Sequence, residues 1–179
     1  SVGEPDFLTP KYIQKAANEA IEKGFHFYTP VPGVLELRKA IASKLNKENN
    51  IKCSIENIVV STGAKQCIAN AVLSLVNPGD EVIVLSPYWV SYLDIVQYAE
   101  GVPVLVKGSL ENDFKPTIEQ LRASITDKTK VIMYSSPSNP TGAVFDEKEM
   151  EQLAELINQY DDLYVIADEI YEYINYSEE

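Results

Sequence analysis

The feature that most constrains the fold is an alternation that begins near residue 58. Short runs that are apolar at almost every position are separated by segments whose apolar residues recur every three or four positions. Uninterrupted apolar runs are typical of parallel strands that are covered on both faces. The sequence therefore predicts an α/β fold, a mostly parallel sheet with helices on both faces. The predicted strands are "NIVVST" (57–62), "EVIVLSP" (81–87), "VPVLVK" (102–107), "KVIMYS" (130–135) and "LYVIAD" (163–168).

Helices are predicted both before and within this alternation. In the first one, Thr9 is the predicted N-cap, Gly24 follows the end, and the apolar residues form one stripe. The last one begins with Asp146 and Glu149 at the spacing of a capping box. The predicted helices are 9–24, about 33–48, 63–76, 88–101, 115–125 and 146–160.

Composition excludes several classes of function. The formal charge of −12, from 27 acidic and 15 basic residues, does not favour binding to nucleic acid or to an anionic membrane. The longest apolar helical candidate, 67–76, is half of a membrane span. The first residues show no signal-peptide pattern, and together with the sparse cysteines this predicts a cytoplasmic protein.

Cysteine and histidine are too rare to carry the chemistry. Cys53 and Cys67 form no CxxC pair, so no metal site and no disulfide framework is predicted, and Cys67 is expected to lie in the core. The single histidine, His26, has no accompanying nucleophile motif such as GxSxG. Any catalysis is expected to come from carboxylates, lysine, tyrosine or a cofactor.

The turn "VVSTGAK" (59–65) is a candidate anion site. A predicted strand enters a glycine turn and opens a helix, so the N–H groups of Gly63, Ala64 and Lys65 can point at a phosphate. Neither GxxxxGK[ST] nor GxGxxG is present, which argues against ATP or a dinucleotide. An ordinary βα turn is the alternative.

Two further candidates follow predicted strands. Trp89, the only tryptophan, could stack on a planar ring, and the alternative is a core or interface aromatic. Asn139 stands between Pro137 and Pro140 in "SSPSNPTG" (135–142). Because each proline fixes its own φ and restricts the preceding residue, the Asn139 amide is expected to be held towards a fixed partner. A rigid turn is the alternative there.

Asp168 ends the last predicted strand and is expected to be desolvated, which is costly unless a cation or hydrogen-bond donors meet it. It could equally cap the turn that follows, in which Tyr171 would share its face. A phosphate-binding turn, a stacking aromatic, a fixed amide, a buried acid and a phenol would together suit pyridoxal 5′-phosphate (PLP).

Six blocks of the sequence resemble the class I fold-type I aminotransferases, and the match is closest to the aspartate aminotransferase branch. The resemblance spans essentially the whole chain, in the family's order. The blocks are "GEPDF" (3–7), "YTPVPGVLELRKAIA" (28–42), "STGAKQ" (61–66), "NPGDEVIVLSPYWVSY" (77–92), "SNPTGAVF" (138–145) and "DEIYEYINY" (168–176).

The resemblance implies roles around the cofactor ring. Asp168 would pair with the pyridine nitrogen, Tyr171 and Asn139 would hydrogen-bond the phenolic oxygen, and Trp89 would stack on the ring. Trp89 and Asn139 would also contact the substrate. The X-Pro bonds around Asn139 can be cis in this family.

It also implies contacts further from the ring. Gly63, Ala64 and Lys65 would bind the phosphate, and Gly3 would lie near the substrate carboxylate. Tyr28 would reach the phosphate of the partner subunit's cofactor, which implies a homodimer with shared sites.

The family's Schiff-base lysine lies downstream of the "DEIYE" block, and no residue up to Glu179 corresponds to it. We therefore expect the chain to be part of a longer enzyme and to be inactive alone. Residues 1–25 would lead into an incomplete large PLP-binding domain, 26–179, and the small domain would lie outside. The implied function is transamination between an amino acid, aspartate or a broad range, and a 2-oxo acid such as 2-oxoglutarate. The alternatives are a PLP-dependent lyase or synthase and a non-catalytic PLP-binding domain.

Overall fold

The structure, a computed structural model, describes residues 6–176. The chain divides into two compact units between Val60 and Ser61. The helices are α1 (Lys11–Glu22), α2 (Leu35–Glu48), α3 (Gly63–Leu75), α4 (Ser91–Tyr98), α5 (Ile118–Ser124) and α6 (Glu147–Ile157). The strands are β1 (Glu81–Ser86), β2 (Val102–Lys107), β3 (Thr129–Ser135) and β4 (Tyr164–Asp168).

The first unit contains α1, α2 and a short 3-10 turn, Ile55–Asn57. Both predicted helices are present, but Thr9 is not the N-cap of α1. Pro10 occupies that position, and no side chain caps the helix. None of the residues of α1 is buried, so the apolar stripe that predicted this helix is not covered within the unit.

The predicted strand at 57–62 is wrong. Two of its backbone groups are bonded within the first unit instead, because Val60 N donates to Pro32 O at 3.0 Å and Arg38 Nε donates to Ile58 O at 3.0 Å. A second Arg38 nitrogen donates to Ile55 O. The β-branched composition thus produces an extended segment bonded to a turn and to an arginine, and it pairs with no strand among residues 6–176.

The second unit is built on one four-stranded parallel sheet in the order β2-β1-β3-β4. Every predicted strand and helix after residue 62 is present, with ends shifted by up to three residues. The capping box of α6 is also confirmed, since Glu149 N donates to Asp146 Oδ1 at 2.7 Å and Asp146 N to Glu149 Oε2 at 2.8 Å.

Alternating residues of β1 and β3 enter two cores. Val82, Val84, Val131 and Met133 pack with α3 and α4 on one face. The residues between them pack with α5 and α6 on the other face, which confirms the predicted double cover. The second core comprises Ile83, Leu85, Val106, Leu121, Ile132, Tyr134, Leu153 and Leu156.

Two expectations about burial are wrong. The strand β4 lies at the edge of the sheet, and Tyr164 and Val165 are exposed despite its apolar sequence. Cys67 is also exposed, because helical spacing turns its side chain away from the face of α3 that buries Ile68 and Val72. Helical spacing places only part of an apolar helix in the core. Among residues 6–176, no helix is long and apolar enough to cross a membrane.

Candidate active site

The carboxyl ends of the four strands form one edge of the sheet, as expected for parallel strands. Ser86 pairs with Lys107, and Ser135 pairs with Asp168. Ser136 N also donates to Asp168 O at 3.2 Å. The segments that carry Trp89, Asn139 and Tyr171 therefore all leave from this edge.

Asp168 is held at this edge by two donors. The Tyr92 hydroxyl donates to its Oδ2 at 2.7 Å, and Ile170 N donates to its Oδ1 at 3.3 Å. The bond from Ile170 N is a local turn interaction, and it agrees with the alternative prediction that Asp168 caps the turn after the strand. Asp168 is half-buried, less than predicted, because β4 is an edge strand.

Tyr92 is a site residue that the sequence reasoning missed. It lies in the same "SPYWVSY" block as Trp89, and its side chain is almost fully buried. Burial raises the pKa of its hydroxyl, and the hydrogen bond and charge of Asp168 act in the same direction, while a Ser135 hydrogen bond acts against them. Tyr92 therefore stays protonated and remains a donor to Asp168. Its position in the sequence, three residues after Trp89 at the start of a helix, gives no sign of this bond, because Asp168 lies 76 residues away.

Trp89 and Lys65 lie together beside this pair. The Trp89 ring meets Tyr92 edge-on, with 5.6 Å between centroids, and Lys65 Nζ lies 5.0 Å from the centroid of the Trp89 ring. These contacts bring the first turn of α3 to the residues that follow β1. They place a cation and an indole next to the Tyr92–Asp168 pair.

The glycine turn before α3 has the conformation that an anion site needs. Gly63 has a φ of +81°, which side chains other than glycine rarely adopt. Its own N–H donates to Ser61 O at 3.0 Å, so the Gly63 N–H is already used. The first-turn N–H groups of Ala64 and Lys65 have no partner within the helix. They are the two that could meet a phosphate.

Asn139 and Tyr171 line one cavity of about 700 Å³. Among the described residues, neither the Asn139 amide nor the Tyr171 hydroxyl has a hydrogen-bond partner. The Ser136–Pro137 and Asn139–Pro140 peptide bonds are cis, as the resemblance allowed. The Ser135 hydroxyl donates to Pro137 O at 2.9 Å and so ties this segment to the end of β3.

The remaining predicted residues lie elsewhere. Tyr28 belongs to the first unit, and its side chain is fully exposed. Gly3 lies outside the described residues. The second unit therefore contributes a carboxylate with a permanent donor, an indole, two uncommitted polar groups and a helix N-terminus. These donors and acceptors fit PLP, which has a ring nitrogen, a phenolic oxygen, an aromatic face and a phosphate. Among residues 6–176, no cluster of side chains could hold a metal ion.

Comparison with known proteins gives a family match over the whole chain. The family described as aminotransferase class I and II matches residues 1–179. A probable aspartate/prephenate aminotransferase from Rickettsia typhi is 46% identical over 176 residues, which are 98% of this chain and 44% of that protein. The aspartate/prephenate aminotransferase of Thermus thermophilus is 44% identical over 179 residues, 100% of this chain and 46% of the relative. The chain thus spans less than half the length of these relatives.

Solved structures agree with the sequence matches. An aspartate aminotransferase from Rhizobium meliloti superposes with a TM-score of 0.97 at 41% identity, over 100% of this chain and 45% of that one. An aromatic aminotransferase from Pyrococcus horikoshii superposes with a TM-score of 0.95 at 41% identity, over 99% of this chain and 48% of that one. Both cover the present chain almost completely.

Proposed function

The chain belongs to the class I and II aminotransferases, and on that premise we propose that the intact protein is a PLP-dependent aminotransferase. It would transfer the amino group of an amino acid, aspartate or a broader range, to a 2-oxo acid such as 2-oxoglutarate. The observation that carries the proposal is the Tyr92–Asp168 hydrogen bond of 2.7 Å at the carboxyl edge of the sheet, beside Trp89.

Asp168 would hold a proton on the ring nitrogen of the cofactor. When bound, PLP supplies an electron sink for the electrons of the Cα–H bond that is broken, and a protonated ring nitrogen strengthens that sink. Tyr92 fixes the Asp168 carboxylate by donating to one oxygen, and the backbone of Ile170 fixes the other. The Asp168 carboxylate would therefore already be oriented towards the ring nitrogen, and no free energy would be spent on orienting it during the reaction.

The Asn139 amide and the Tyr171 hydroxyl of the cavity would form hydrogen bonds to the phenolic oxygen of the ring. The Asn139 amide and the Tyr171 hydroxyl can both donate to it, and a donor stabilises the ionised form of that oxygen. Trp89 would pack against the face of the ring. The N–H groups of Ala64 and Lys65, with the cationic Lys65 side chain, would bind the phosphate, and Gly63 supplies the turn.

The remaining parts of the site are proposed from the family alone. The lysine that binds the cofactor and moves the proton would lie outside residues 1–179, as would the small domain, with 1–25 leading into the large domain at 26–179. Tyr28 would complete the site of a partner subunit in a homodimer, and Gly3 would lie near the substrate carboxylate. We place the enzyme in the cytoplasm.

The test uses the intact protein. It is incubated with PLP and reduced with borohydride, and the labelled peptides are mapped alongside the intact mass. We expect one phosphopyridoxyl-lysine beyond Glu179 and aspartate–2-oxoglutarate transamination. The Asp168→Asn variant should lower kcat/KM on the order of a hundredfold or more, the scale at which removal of one electrostatic partner slows an enzyme.

An Asp161→Asn variant serves as the matched control, because Asp161 is exposed and precedes β4, whereas Asp168 lies at the opposite, carboxyl end of that strand. Its kcat/KM should equal that of the unaltered protein. A label on Lys65, or full activity in the Asp168→Asn variant, would overturn the proposal.

A further inference from the structure

Lys115 is the one charged residue that is buried among the described residues, with 9% of its surface exposed. Placing an ammonium group in the interior is costly unless it is paired and hydrogen-bonded. The roles proposed above do not use this residue. Its burial therefore calls for a separate explanation.

The Lys115 ammonium joins three elements. Its Nζ forms an ion pair with Glu149 Oε2 at 2.6 Å and donates to Val144 O at 3.1 Å. It also lies 5.7 Å from the centroid of the Phe145 ring. Because Glu149 Oε2 accepts the N–H of Asp146 as well, the lysine is tied to the start of α6. One cation thus connects its own loop, the segment after β3 and a helix N-terminus.

The backbone that delivers Lys115 is strained. Asp113 and Phe114 have φ values of +50° and +60°, and two successive non-glycine residues in the left-handed region cost free energy. The loop compensates with hydrogen bonds, from Phe114 N to Ser109 O at 2.7 Å and from Lys115 N to Asn112 O at 2.8 Å. The loop also approaches Gly108 so closely that a Cβ there would lie 2.0 Å from Phe114 O. The backbone of residues 108–115 is therefore held in the conformation that places the Lys115 side chain in the interior.

The segment that receives Lys115 carries Asn139. Within it, Gly142 N donates to Ser138 O at 2.7 Å and Ser138 N donates to Ala143 O at 2.9 Å, so the loop is closed on itself. At its end, Phe145 N donates to Ser136 Oγ at 3.2 Å, and Lys115 holds the carbonyl of Val144. Lys115 and Asn139 line the same 700 Å³ cavity.

We propose that Lys115 is a positioning residue, which fixes the loop 138–145 through Val144 and Glu149 and thereby holds the Asn139 amide in place for the cofactor. The inference rests on the proposed function, because it assigns Asn139 to the ring oxygen. Lys115 itself does not contact the cofactor. Its ammonium is already committed to the protein, so it acts through the rigidity of the loop.

The first experiment measures amide hydrogen exchange of the intact holoenzyme. In Lys115→Met, which keeps an unbranched side chain of similar length but loses the ammonium group and its charge, exchange across 138–145 should become at least about fivefold faster. Lys148→Met is the matched control on α6, since Lys148 is exposed, and it should leave exchange in this loop unchanged. Unchanged exchange in Lys115→Met would overturn the proposal.

The second experiment titrates the visible absorption of the bound cofactor against pH. Asn139→Ala should raise the apparent pKa of the cofactor chromophore, because a donor to the ionised ring oxygen is lost. Lys115→Met should raise it in the same direction by less, and should add no further shift in the Asn139→Ala background. Glu149→Gln is a second variant that keeps an acceptor for Asp146 N, and it should reproduce a smaller part of the Lys115→Met shift. If Lys115→Met does not fold, the Glu149→Gln titration alone tests whether the Lys115–Glu149 pair holds the Asn139 amide in place.

The outcomes separate the two proposals. If Asn139→Ala shifts the titration and neither Lys115→Met nor Glu149→Gln does, Lys115 is only structural and the inference fails, while the proposed function stands. If Lys115→Met shifts the titration equally with and without Asn139, it does not act through the amide and the inference also fails. If Asn139→Ala itself is silent, the cofactor role of Asn139 in the proposed function fails together with the inference.

Discussion

The two units have similar apolar patterns in sequence but differ greatly in how many of their apolar side chains are buried. In the second unit, α3 to α6 close over both faces of a parallel sheet and produce two cores of fully buried side chains. In the first unit, Ala42 and Ile58 are the only buried apolar residues among those described. Its large apolar side chains are exposed, and they include Phe7, Leu8, Tyr12, Ile21, Phe25, Phe27, Tyr28 and Val31.

The difference shows what periodicity does and does not determine. An apolar stripe predicts that a segment is helical and which of its faces would be buried in a core. The segment α1 confirms that the stripe is helical. What covers the face depends on which other elements the chain brings to it. The sheet of the second unit supplies that cover from nearby sequence, whereas no element of the first unit covers α1.

The largest effect is expected from truncating a buried isoleucine of the second unit, and the matched change is the truncation of an exposed isoleucine of the first unit. Ile132→Ala removes a fully buried side chain from β3 and should lower the free energy of unfolding by about 2–5 kcal/mol. Ile21→Ala removes a side chain of α1 that is 64% exposed and should change it by no more than about 0.5 kcal/mol. Urea unfolding of the intact protein measures both.

The Ile21 variant is the more informative of the two. A cost above about 1 kcal/mol would show that some other surface covers α1 in the intact protein. The contrast between the units would then be a property of residues 6–176 alone. Equal costs for the two variants would contradict the comparison altogether.

A smaller effect is expected from the long-range hydrogen bonds that tie each unit together. Tyr92 links α4 to the end of β4, and Tyr92→Phe should lower the free energy of unfolding at pH 7 by about 1–3 kcal/mol, as for a hydrogen bond to a charged group. Arg38 is its counterpart in the first unit, where it donates to the backbone carbonyls of Ile55, in the 3-10 turn, and Ile58, in the extended segment that follows. Arg38→Met should accelerate hydrogen exchange across 55–60 and leave exchange in β1 to β4 unchanged.

The pH dependence distinguishes the Tyr92 bond from simple packing. Because burial and Asp168 raise the pKa of Tyr92 in the folded state, its contribution is fully present below the ordinary tyrosine pKa of about 10 and is lost as pH rises towards the folded pKa. The stability of the unaltered protein should therefore fall more steeply above pH 10 than that of Tyr92→Phe. Parallel curves would mean that the hydroxyl is not held as described.

The fold of the second unit was predictable because its elements follow from local pattern. Continuous apolar runs gave the strands, the Asp146–Glu149 spacing gave the start of α6, and parallel pairing then placed the strand ends at one edge. The segment 57–62 was not predictable, since its extended conformation is the same whether a strand or an arginine satisfies its carbonyls. The exposure of β4 followed from its place at the sheet edge, which composition does not encode.

The candidate site also contains residues that the sequence predicted and residues that only the structure reveals. Asp168, Asn139 and Trp89 were predicted as site residues because each is an unusual residue at or just after a strand end. Tyr92 and Lys115 were missed because their roles depend on partners 76 and 29 to 34 residues away in sequence. A buried tyrosine on a helix and a lysine in a polar loop carry no local signal of such partners. Only the packed structure shows that Tyr92 bonds to Asp168 and that Lys115 bonds to Val144 and Glu149.

The smallest predicted effect compares the two helix N-termini. In α6, the Asp146 side chain accepts the Glu149 N–H, so Asp146→Ala should lower the free energy of unfolding by about 1 kcal/mol. In α1, Thr9 has the same kind of sequence signal but caps nothing, because Pro10 stands at the N-cap, so Thr9→Ala should have almost no effect. Thermal unfolding of the two variants under one set of conditions gives the difference. If Thr9→Ala cost as much as Asp146→Ala, the start of α1 would be capped in solution, and the first unit would be better ordered by local interactions than its exposed apolar face indicates.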